Sequence, residues 1–151
     1  MTSDLNQRQD AFVNVRWGQL YALEKDWGER ALRYLLLTNF GGAVATISFL
    51  GASEQARVLL GVKVSLGLFL VGIILVGVST AKTLHRMSWL FKEWKSAVNH
   101  YNAGRVSWDH LIEEDNKRAV ESFWDYAIPY TSFECFILGC VLGPFALFFV
   151  E

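Results

Sequence analysis

The sequence predicts an all-α integral membrane protein: three transmembrane helices, an amphipathic N-terminal helix and a cytoplasmic helical hairpin. Three observations carry that prediction. Of 151 residues, 52% are hydrophobic and only 19% charged, against about 25% charged in an ordinary soluble domain. The charges avoid three stretches, since residues 34–53 and 64–81 hold none and residues 126–150 hold only Glu134. Outside those stretches apolar residues recur at helical spacing. Each stretch reaches the roughly 20 apolar residues that cross about 30 Å of hydrocarbon, the second once residues 58–63 are included.

The same figures exclude other classes. With 14 basic and 15 acidic residues the net charge is −1, so a basic nucleic-acid binder is not expected. The apolar content excludes a disordered chain. The first 30 residues mix both charges without an unbroken apolar core, which argues against a cleaved signal peptide. Neither a myristoylation nor a prenylation motif is present, the chain ending in Phe148, Phe149, Val150 and Glu151. Two cysteines, Cys135 and Cys140, lie five residues apart in the third apolar stretch, on different helix faces and without a histidine nearby. They read as packing residues, not as a disulfide framework or a zinc site.

Residues 1–33 form the expected cytoplasmic amphipathic helix. Val13, Trp17, Leu20, Trp27, Ala31 and Tyr34 fall at three- and four-residue steps with one gap at Glu24, while Arg16, Lys25, Asp26, Glu29, Arg30 and Arg33 occupy the other side. Gly18 and Gly28 are expected to mark bends. Residues 34–81 form a membrane hairpin. Its first helix contains Asn39 and the small pair Gly41 and Gly42, which allow close approach of another helix. Ser53, followed by Glu54, is placed to cap the start of the second.

That second helix has the most informative pattern in the chain. Ser65, Gly72 and Ser79 recur every seven residues and share one stripe. Beside them Leu66, Leu70, Ile73, Gly77 and Thr80 continue in phase through Leu84, Met87, Phe91, Trp94, Val98 and Tyr101. One helix is therefore expected from Val64 to Ala103, about 60 Å long and half of it beyond the bilayer. Residues 82–128 make the cytoplasmic hairpin. Asn102, Ala103 and Gly104 end its first helix, and Ser107 caps a return helix. Trp108, Ile112, Ala119, Phe123 and Ala127 line the apolar face of that helix, while Glu113, Glu114, Asp115, Lys117, Arg118 and Glu121 face water. Residues 129–151 form the third transmembrane helix, with Pro129 in its first turn and a bend expected at Gly139, Gly143 and Pro144.

Basic residues set the expected topology. Twelve of the 14 lie in residues 8–33 and 82–118, and only Arg57 and Lys63 lie between the first two spans. The positive-inside rule then places the N-terminus and the hairpin in the cytoplasm and the C-terminus outward, in the plasma or cell inner membrane.

Candidate functional residues follow from polarity inside the spans. Glu134 stands alone in an apolar helix, where a carboxylate costs about 2.5–3.5 kcal/mol at the membrane centre on insertion scales. Asn39, Glu134, Thr80 and Ser79 are expected to share an inner-leaflet polar belt or gate, with Thr131 and Ser132 at the same level and Arg33 or Lys82 as counter-ions. The stripe Ser65, Gly72 and Ser79 is expected to line a pore or to pack helices. No metal site is expected, because His110 and Glu113 form a lone H-x-x-E without a second copy. No phosphate-binding, dinucleotide or hydrolase motif occurs, so neither a cofactor nor an enzyme is expected. Two functions fit. One is a homo-oligomeric pore or channel-like effector gated from its hairpin. The other is a non-conducting adaptor that docks a cytoplasmic partner through it. Expected partners are the lipid bilayer, further copies of the chain and a cytoplasmic protein or small-molecule regulator, with no nucleic acid.

Overall fold

The computed structural model describes residues 2–118 and 122–148, with side chains from residues 15–16, 18–118 and 122–146. Five helices follow in order: α1 Thr2–Ala52, α2 Glu54–Val58, α3 Leu60–Asn102, α4 Trp108–Arg118 and α5 Phe123–Phe148. No strand occurs among the described residues. Ala119, Glu121, Val150 and Glu151 lie outside them, as do the side chains of Val13, Trp17 and Phe148. Three of the helices, α1, α3 and α5, are long and apolar enough to cross a membrane, which fits a multi-pass membrane protein.

The chain divides into two compact units, Met1–Tyr34 and Leu35–Glu151. The described residues of the first are helical, and the backbone stays helical through Gly18 and Gly28, where bends were expected. Apolar and charged side chains are exposed alike, Leu20, Leu23 and Trp27 among the former. Within it the Arg30 guanidinium lies 5.5 Å from the Trp27 ring centroid, a cation–π arrangement.

In the second unit, residues 35–52 of α1 pack with α3 and α5, and α3 with α5 is the most extensive pairing. Small residues make this possible. A Cβ on Gly42 would come within 2.5 Å of the Phe69 ring, and one on Gly139 within 2.8 Å, so Phe69 is wedged between two helices that each yield a glycine to it. Leu35, Ala43, Val62, Val76 and Cys135 complete the core.

The connections differ in detail from expectation. Ser53 does act as an N-cap, its hydroxyl accepting from Ala56 N at 3.2 Å, but the helix it caps is the separate five-residue α2; Leu59 is extended, and α3 starts afresh at Leu60. Arg57 donates to the carbonyls of Leu50 and Gly51 at 2.9 Å each, satisfying the open C-terminal end of α1. The long helix ends as its sequence predicts. Gly104 adopts φ 68°, Arg105 N donates to His100 O at 3.0 Å and Gly104 N to Tyr101 O at 2.9 Å, the paired bonds of a Schellman ending. The return helix is described over Trp108–Arg118 and does not run on unbroken to Ala127, because Ser122 is non-helical. Pro129 lies within α5, not in its first turn, and Pro144 is also accommodated inside that helix. The start of α5 is set six residues earlier by a capping box, in which Ser122 N donates to the Asp125 carboxylate at 2.8 Å.

Candidate functional site

The polar residues of the apolar helices converge at one node. Asn39 on α1 and Ser132 on α5 are fully buried. The Asn39 amide donates to Leu35 O at 2.9 Å and to Ser132 Oγ at 3.3 Å, with Ser132 O at 3.5 Å. Ser132 Oγ in turn donates to Gly72 O on α3 at 2.9 Å. A single chain of donors thus ties three helices together, and it forms because each helix offers either a short polar side chain or a bare backbone at that level. Gly72 is essential to the fit, since a Cβ there would overlap the Asn39 amide. Asn39 Oδ1 has no conventional donor. It faces the hydrogen that glycine carries in place of Cβ, the geometry of a weak Cα–H···O contact.

One further bond repeats this scheme toward the other end of α3, where buried Ser65 donates to Gly139 O at 2.6 Å. Between α1, α3 and α5 at this level lies an open groove of about 340 Å³, lined by Thr46, Phe69, Cys140 and Pro144 among others. Its two hydroxyls are already engaged, Ser65 with Gly139 O and Thr46 with Gly42 O at 2.8 Å.

Of the expected belt, the structure brings Asn39 and Ser132 into this node. Ser79 is buried on the same face of α3, two turns further along. Thr80 is exposed and its hydroxyl returns to Val76 O at 2.9 Å. Glu134 points away, on the exposed side of α5 with Phe133, Ile137, Leu138 and Val141. The residues sharing a level thus separate by helix face. The stripe Ser65, Gly72 and Ser79 is buried throughout, Ser65 against α5 and Gly72 against Asn39 and Ser132 of the same chain.

A second polar centre marks the end of the apolar runs. Asp125 lies 2.8 Å from Lys82 Nζ and also pairs with Arg86. The Lys82 hydrogen bond, chiefly, holds its carboxyl below the ordinary carboxylate value; partial desolvation opposes this, while the Ser122 backbone donor and the Arg86 charge add to it. Lys82 thus serves Asp125, not Glu134. The sequence reading missed this centre, though two signals could have found it: Ser122-x-x-Asp125 has capping-box form, and Asp125 and Lys82 are the charges that flank the apolar stretches of α5 and α3. Ser132 could be found only by its level, which does not say that it would meet Asn39.

From this ion centre, Ser132 lies seven residues along α5, about 10 Å, and Gly72 ten residues along α3, about 15 Å. The node therefore sits well inside the apolar layer. Beyond the ion centre, α4 packs on α3 through buried Leu111, with Arg118 bonded to Glu114 at 2.7 Å and 3.8 Å from Glu93. His110 lies beside Glu114, not Glu113, which pairs with Lys117 at 2.7 Å. No family model, curated protein or solved structure matches this chain.

Proposed function

We propose that the chain is a non-conducting membrane anchor and adaptor, inserted in the plasma or inner membrane, which docks a cytoplasmic partner through α4 and the part of α3 beyond Lys82. One observation carries the reading: the small-residue stripe that a conduit would use is buried against the chain's own helices. Ser65 and Ser132 each donate to a carbonyl, and Gly72 holds the Asn39 amide. A water-filled path along that stripe would first have to break every one of those contacts.

Beyond Lys82 the balance is reversed. Trp89 and Trp108 are exposed there. In water, exposed apolar area costs about 25 cal/mol per Å² until covered, and exposed aromatic rings suit a protein interface. The bias of twelve basic residues against two supports placing this surface and the N-terminus in the cytoplasm. The reading assigns no catalytic step.

Ion flux from liposomes holding the purified chain is the direct test. No flux above protein-free vesicles is expected across neutral and mildly acidic pH. Flux that scales with protein and changes in Glu134→Gln would overturn the anchor reading in favour of a pore.

A further inference from the structure

The helix α3 carries two stripes of seven-residue period on nearly opposite sides, because positions two apart differ by about 200° around a helix. Ser65, Gly72 and Ser79 face inward. Leu70, Gly77, Leu84 and Phe91 face outward: the three large residues are 45%, 70% and 70% exposed, and nothing lies within 4 Å of where a Gly77 Cβ would sit. Ile73, Thr80 and Met87 alternate with them at three- and four-residue steps. We propose that this outward stripe is the seam of a parallel, in-register pairing of α3 with α3 of a second copy of the chain.

Four features select that occupant. The intramolecular partners use an adjoining face, marked beyond the apolar run by half-buried Leu90, Glu93 and Ala97, and they reach the heptad at its end, where Val98 is half-buried and Tyr101 stacks edge-on against Trp108; the open stripe of Leu70, Gly77, Leu84 and Phe91 is unexplained within one chain. The stripe passes from the apolar run into the charged region without a change of phase. Its partner must therefore be a helix that runs the roughly 30 Å of residues 70–91, with the same transition at the same height; α3 of another copy meets that condition by identity. Copies inserted in one orientation run α3 parallel, which sets Leu70, Gly77, Leu84 and Phe91 each against its own counterpart. Charge then permits the register. The flanking positions Thr83, Ser88, Leu90, Lys95 and Ala97 contain one charge, while His85, Arg86, Lys92 and Glu93 fall outside the seam, so no like pair is forced together. Gly77, with Ala81 four residues on, supplies the small-xxx-small step at which two backbones approach. The α3 glycines facing α1 and α5, Gly61 and Gly72, are filled by neighbours; Gly77, like Gly67, is open, and in the pairing its neighbour is a second chain.

The pairing does not rest on the adaptor reading, since flux and partner docking leave it untouched. Its test uses the full chain in membranes, with Cys140→Ser removing the exposed native thiol. Under mild oxidation Leu84→Cys and Phe91→Cys should each give a disulfide-linked dimer. Trp89→Cys, on the other side of α3, should give about 10-fold less, as disulfides need Cα atoms within about 7 Å. Native mass measurement should show a dimer that Leu84→Glu with Phe91→Glu converts to a monomer of unchanged helicity. Equal cross-linking at positions 84 and 89, or a monomeric parent that links at neither 84 nor 91, would overturn the proposal and assign the stripe to a different protein.

Discussion

On one side of α3, Ser65, Gly72 and Ser79 are buried, the first two against α5 and Asn39; on the other, Leu70, Gly77, Leu84 and Phe91 stand open. A soluble helix would be arranged the other way round, with leucine and phenylalanine inside and serine outside. The reversal follows from the solvent. Among apolar side chains and lipid tails a leucine gains nothing by turning inward, so association depends on close approach and on hydrogen bonds that lipid cannot supply. Serine and glycine then become the core residues. The rule changes beyond Lys82, where Leu84 and Phe91 remain open on a helix that has left its apolar run, and there the same stripe has a hydrophobic reason to be covered.

Glycine substitution separates the two sides most sharply. Gly72→Leu drives a side chain into the Asn39 amide and should destabilise the protomer by about 3 kcal/mol or more, the upper range of overpacking. Gly77→Leu meets open space, and it should leave protomer stability within about 0.5 kcal/mol while weakening the association of copies. Unfolding titrations in mixed detergent micelles, read by Trp fluorescence, would measure both; equal losses would erase the distinction between the faces.

Polar groups extend the comparison at smaller scale. Asn39→Ala removes the hub of the node and leaves a cavity, for an expected loss of about 2 kcal/mol. Ser132→Ala removes one interhelical donor, for which about 1 kcal/mol is expected. Glu134→Gln, on the exposed face of α5, should leave protomer unfolding unchanged. A loss at Glu134 matching that at Asn39 would mean the two residues do share one network after all.

The three apolar helices, the uninterrupted α3 and its Gly104 ending were legible because each rests on local rules: span length, heptad phase and a left-handed C-cap. The inward direction of Ser65, Gly72 and Ser79 was legible only as two alternatives, since a small-residue stripe suits a pore and a packed helix equally. Grouping Asn39 with Glu134 went by depth along the helices. Depth cannot supply azimuth, and two residues, from Ser132 to Glu134, turn α5 by about 200° from its buried to its exposed side. The separate α2 and the early start of α5 were missed for a similar reason. Leu59 carries no breaker signal, and the capping box at Ser122 and Asp125 was masked by the more conspicuous Pro129.

The ion centre at the end of the apolar runs gives a modest effect and a pH signature. Lys82 and Arg86 extend from the same side of α3 as Ser79 and meet Asp125, so this pairing belongs with the closed face. The folded-state pKa of Asp125 lies below its ordinary 3.8, and the unfolded chain therefore binds its proton first as pH falls. The stabilisation is fully present above the unfolded value and lost as pH drops through the lower folded one. Thermal or detergent unfolding of the parent should show a pH-independent plateau above about pH 5 and a decline in the acid range that Asp125→Asn reduces. At neutral pH the substitution should cost about 1 kcal/mol, as expected for a partly exposed ion pair that also caps a helix. Arg86→Gln should reproduce part of that acid response and Lys92→Gln none of it, because Lys92 lies off the face that meets α5. An equal acid response in all three variants would mean that net charge, not the closed face of α3, governs the decline.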